Sequence, residues 1–74
     1  PDPAKEVARL LKLGREAFAA GDYVKAGDLF GRATAADPKA AAPHFLKAQA
    51  LFAGGAYADA VAALRSGLAL DPAW

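Results

Sequence analysis

A chain of 74 residues, 55% of them apolar and none a cysteine, has room for one small core and offers neither a disulfide framework nor a thiolate metal site. Nine Lys and Arg stand against eight Asp and Glu, spread without a run of either sign, so there is no basic stripe for nucleic acid and no acidic tail. His44 is the single histidine and cannot build a metal site by itself.

In chain order, Asp2 stands where a helix cap is needed and Pro3 at the first helical position. Val7, Leu10, Leu11, Leu13, Ala17 and Phe18 then recur at helical spacing, which predicts a first helix that Gly21 ends. After a short turn, Ala26, Phe30 and Ala33 line up on one face of a second helix. It stops before Asp37-Pro38, because proline disfavours helix in its predecessor. Pro43 suits the first turn of a third helix reaching Ala53, and Gly54-Gly55 turn the chain. A fourth helix carries Ala60, Leu64, Gly67 and Leu68 up to Asp71-Pro72. Gly14 against Ala26, and Ala48 against Ala60, would let paired helices approach closely, with Phe30 or Leu64 filling the space beside them. Tyr23 and Tyr57 follow the turns, where a ring can cover the joint between hairpins.

The two hairpins say nearly the same thing. "GDYVKA" at residues 21–26 returns as "GAYADA" at 55–60, and residues 7–40 align with 41–74 without a gap. Phe18 matches Phe52, Gly21 matches Gly55, Tyr23 matches Tyr57, and Asp37-Pro38 matches Asp71-Pro72. A fixed period of this length is the mark of a repeat architecture. In the first unit Leu10, Leu13, Gly14, Ala17, Ala26, Phe30 and Pro38 follow the W-x2-L-G-x2-Y…A-x3-F…P spacing, with Leu for Trp and Ala for Tyr. In the second, His44, Lys47, Ala48, Leu51, Ala60, Leu64 and Pro72 hold the same places, so its first helix has lost an aromatic and a leucine that Phe45 and Leu46 are positioned to replace. On these residues the chain resembles the tetratricopeptide repeat family over residues 7–74, as two tandem 34-residue repeats.

The resemblance implies an all-α fold in which two antiparallel helix-turn-helix hairpins, four helices in all, stack as a short right-handed α-solenoid. Residues 1–74 are then one domain: repeat 1 at 7–40, with a helical extension at 3–6, and repeat 2 at 41–74. It further implies that the first helix of each repeat lines the concave side. Leu11, Arg15 and Phe18 share one stripe there, and Phe45, Gln49 and Phe52 share its equivalent. Aromatic edges beside a guanidinium suit an apolar segment carrying an acid. Phe18 and Phe52 have a second role open to them, closing the core between hairpins, and Arg15 could equally pair with a surface carboxylate. The family's carboxylate clamp uses Lys and Asn where this chain has Leu11, Arg15 and Gln49, and it is not carried over.

The expected function is protein–protein interaction, with a peptide or helix of a partner held on the concave face. No enzyme is expected, and no cofactor, because Thr34 and Ser66 are the only hydroxyls besides the tyrosines, Asn is absent and Gln49 is the only amide. An alternative is an assembly unit: the last hairpin leaves an apolar flank of Leu64, Leu68, Leu70 and Trp74 for further repeats, a partner or a second copy, unless Trp74 folds back over the leucines. A third is an accessory domain of a larger protein. Apolar windows fall far below the roughly 18 residues of a membrane span, and the sequence lacks an initiator Met and a leader pattern, which reads as an excised or processed piece. A soluble setting is expected, with the compartment undetermined and the cytoplasm slightly favoured.

Overall fold

The computed structural model describes residues 2–72 as four helices: α1 (Pro3–Ala19), α2 (Tyr23–Ala36), α3 (Ala42–Ala53) and α4 (Tyr57–Leu70). Each packs mainly on the next in sequence, α1 on α2, α2 on α3 and α3 on α4. Two helical hairpins therefore stand side by side in a slab of 32 × 27 × 16 Å. Trp74, which the sequence places on the apolar flank, lies outside the described residues.

Local chemistry sets the helix ends. The Asp2 side chain accepts a hydrogen bond from the Ala4 N–H at 3.0 Å, with Pro3 beginning the helix where no amide partner is needed. At the other end Gly21 takes φ +81°, the Gly21 N–H donates to the Phe18 carbonyl at 3.0 Å, and the Asp22 N–H donates to the Ala17 carbonyl at 2.9 Å. This pair of bonds is a Schellman turn, which satisfies two carbonyls that the helix end would leave bare. Hairpin 2 repeats it: Gly55 at φ +87°, Gly55 N–H to Phe52 at 3.1 Å, Ala56 N–H to Leu51 at 2.8 Å. Both glycines are required for a backbone conformation that a Cβ would strain. Beside each turn a tyrosine packs edge-on against the phenylalanine that precedes it, Phe18 on Tyr23 and Phe52 on Tyr57, with ring centroids 5.1 Å apart.

The core is asymmetric. Leu10, Ala17, Ala26, Leu29, Phe30, Ala33 and Ala50 form one buried cluster, with Val7, Leu11, Phe18, Ala36 and Leu46 packed against it. Gly14 faces the ring of Phe30, and a Cβ there would overlap that ring. In hairpin 2 the filling comes from the opposite helix. Leu64 stays exposed, and Phe45 of α3 is buried with its ring against Gly67 of α4, where a Cβ would stand 2.9 Å away. The expectation that Leu64 fills this hairpin is thereby corrected, because Phe45 already occupies the space.

Among the described residues the side-chain ion pairs lie on the surface. Arg9 donates to Glu6 at 2.6 Å, and this hydrogen bond draws the Glu6 carboxyl below its ordinary range. Arg32 pairs with Asp28 at 3.4 Å. The hydroxyls of Thr34 and Ser66 donate to carbonyls of their own helices, at 2.6 and 3.1 Å.

Candidate functional site

Two apolar grooves open beside the first helices of the hairpins. The first lies between α1 and α3, holds about 270 Å³, and is lined by Arg15, Phe18 and Ala19 from α1 with Leu46 and Gln49 from α3. Phe30 of α2 forms its floor. The second, about 300 Å³, lies between α3 and α4 and is lined by Phe45, Ala48, Gln49 and Phe52 facing Ala60, Val61 and Leu64.

Helical spacing places these side chains. Arg15 and Phe18 are three residues apart on α1, so they share one edge, and Leu46 and Gln49 repeat that spacing on the facing edge of α3. Phe18 is held by Tyr23 and is partly covered, which leaves its ring as a fixed wall. Arg15 and Gln49 are exposed, and among the described residues Arg15 makes no ion pair or hydrogen bond. The groove thus offers an apolar recess, a free guanidinium at its rim, and an amide opposite that can both donate and accept.

Of the six residues that the sequence assigns to the concave stripe, Arg15, Phe18 and Gln49 meet in the first groove. Phe45 and Phe52 join Gln49 in the second. Leu11 lines neither and packs on the core of hairpin 1. Phe45 is only 5% exposed, because Gly67 opens room for its ring between the helices, while Phe52 is 59% exposed. On the flank, Leu64, Leu68 and Leu70 are exposed. Sequence reasoning gave Leu46 a packing role in the second repeat but no place in the groove, and passed over Val61. Leu46 sits one position off the Phe45, Gln49, Phe52 stripe and matches Lys12 in the first repeat, which conceals it. Val61 stands at i−3 from Leu64, and helical spacing alone would have found it.

Among the described residues no group of three or more His, Asp or Glu is placed to hold a metal ion, and no helix is long and apolar enough to cross a membrane. No curated protein matches the chain. A family model described as tetratricopeptide repeat matches residues 17–74. Repeats of that family generally mediate protein–protein interaction and are typically non-catalytic. With that match over most of the chain, the paired Schellman turns 34 residues apart and the four-helix order, the chain belongs to the tetratricopeptide repeat family.

Proposed function

We propose that the chain is a protein–protein interaction module that takes a short segment of a partner protein into the groove between α1 and α3. The observation that carries this reading is the unpaired Arg15 guanidinium at the rim of a recess floored by Phe30. A segment that fits presents one aliphatic or aromatic side chain to Phe18, Phe30 and Leu46, and a carboxylate nearby to Arg15. Gln49 then meets the backbone of the segment with one donor and one acceptor. The charge-assisted bond to Arg15 fixes which acid is read, and the recess fixes where the apolar side chain sits.

The magnitudes set the expected strength. One apolar anchor contributes about 1.5 to 3 kcal/mol and one charge-assisted hydrogen bond about the same. Together they fall short of the roughly 8 kcal/mol that micromolar affinity needs. Binding of a single segment should therefore be weak, and a multivalent readout is the one suited to it.

The test is selection of a displayed random peptide library on the 74-residue chain, whose multivalent format retains weak binders. Enriched peptides should pair an apolar residue with a nearby Asp or Glu, and should be lost on an Arg15→Glu chain that keeps its helical circular dichroism. Enrichment without acidic residues, or enrichment indifferent to Arg15→Glu, would refute the reading. Phe45 is unsuitable as a probe, because a charge at that buried ring would unfold hairpin 2.

A further inference from the structure

Each hairpin carries a further cleft between its two helices, and the walls of the two differ in chemistry. In hairpin 1 it is walled by Leu13 and Leu29 and stops short of Leu10, which is buried. Shifted by 34 residues, Leu10, Leu13 and Leu29 become His44, Lys47 and Ala63. Three leucines give way to an imidazole, an ammonium and a methyl. The cleft of hairpin 2 accordingly reaches His44 and holds about 310 Å³, with Leu51, Asp59 and Ser66 completing its polar and apolar walls. That volume lies at the small end of the range for ligand sites. No residue lining it lines either apolar groove described above.

The cleft has a basic end and an acidic end. α3 and α4 run antiparallel, since Phe45 near the start of α3 meets Gly67 near the end of α4. His44 and Ser66 therefore stand at one end, and Leu51 and Asp59 at the other, about 10 Å away along the helices. Lys47 is one turn from His44 and level with Ala63, so about 6 Å of helix separates it from Asp59. Its stem is half-buried against α2, where a Cβ on Gly31 would stand 3.8 Å from Cε and from Nζ. Among the described residues, the side chains of His44, Lys47 and Asp59 have no hydrogen bond and no ion pair. The Ser66 hydroxyl is already committed to the Ala62 carbonyl. Two opposite charges thus face one cleft without meeting each other.

We propose that this cleft binds an ω-amino carboxylic acid. The Lys47 ammonium and a ring N–H of His44 donate to its carboxylate, Asp59 accepts from its ammonium, and its methylene chain lies on Leu51, Ala62 and Ala63. Charge complementarity selects this class. A simple carboxylate would leave Asp59 unmet, and a simple amine would add a second cation beside Lys47. A chain of about five methylenes, with a hydrogen bond at each end, matches the length of the cleft. A free ω-amino acid and the C-terminal lysine of a protein both carry this chemistry. The inference goes beyond the peptide-binding reading and does not depend on it.

Amide NMR of the isotope-labelled 74-residue chain, titrated with 6-aminohexanoate, hexanoate and hexylamine in turn, tests it. Perturbations at His44, Lys47, Asp59 and Ser66 that saturate at millimolar 6-aminohexanoate are expected, with hexanoate and hexylamine each about fivefold weaker for want of one ion pair. The variants should then separate the two ends, each keeping its helical circular dichroism. Lys47→Gln should bind 6-aminohexanoate no better than hexylamine, and Asp59→Asn no better than hexanoate. Nα-acetyl-lysine, which has the shape of a C-terminal lysine, decides the source: binding equal to that of 6-aminohexanoate admits a protein terminus, and weaker binding restricts the cleft to free ω-amino acids. Either result upholds the chemistry. Equal binding of the three probes, or no saturation with any of them, overturns the inference. So do perturbations at Arg15, Phe18 and Gln49 in place of the cleft, an outcome that leaves the peptide-binding reading standing.

Discussion

Gly14 with Phe30, and Phe45 with Gly67, are two versions of one solution in which the small and large partners trade helices. In hairpin 1 the ring comes from α2 and the glycine from α1, while in hairpin 2 the ring comes from α3 and the glycine from α4. At the Gly14 and Phe30 positions hairpin 2 has Ala48 and Leu64, a pair with the larger small partner and the smaller large one. Gly14→Ala should therefore overpack hairpin 1. The cost of about 1 to 3 kcal/mol is partly offset by the roughly 1 kcal/mol that Ala gains over Gly in a helix. The net is a loss of about 1 kcal/mol, or a fall in Tm of about 4 to 8 °C. Adding Phe30→Leu should recover most of that loss, a non-additivity expected only of residues in contact. An unchanged Tm in the single variant, or simple addition in the double, would contradict the assigned packing.

At the scale of helices, the hairpins share their turns and differ in their caps. Asp22 caps α2 by accepting from the Lys25 N–H at 3.1 Å, whereas Ala56 stands at the start of α4 with no side chain to do so. The backbone is nearly the same at both, φ −91° and ψ 76° at Asp22 against φ −87° and ψ 68° at Ala56. Ala56→Asp should then stabilise the chain by about 0.5 to 2 kcal/mol, seen as a higher urea midpoint with an unchanged slope. No shift in the midpoint would mean that the cap does not form. These ends are also the part of the fold that was legible in the sequence. Gly21, Gly55, Pro3 and the two Asp-Pro pairs act through their own backbone torsions, so a local reading suffices. Which helix supplies the ring that fills a hairpin is a tertiary matter. Leu64 and Phe45 are both apolar at helical spacing, and only the hole at Gly67 decides that Phe45 turns inward while Leu64 remains exposed.

For the molecule as a whole, the stacking of hairpins brings Arg15 and Phe18 of α1 to the same groove as Leu46 and Gln49 of α3. The sequence supplied Arg15, Phe18 and Gln49 through helical spacing, but the groove also depends on the inter-hairpin contact at Gly27 and Gly31, which sets how near α3 comes. Leu46 and the Phe30 floor became visible only with that contact. The central claim is that this groove reads partner segments. Amide NMR of the isotope-labelled chain, titrated with a peptide recovered from the library selection, tests it most directly. The account predicts perturbations concentrated at Arg15, Phe18, Ala19, Leu46 and Gln49, and their loss in Arg15→Glu. Perturbations centred instead on Val61, Leu64 and Leu68, with the α1 signals unmoved, would contradict it and make the α4 face the recognition surface.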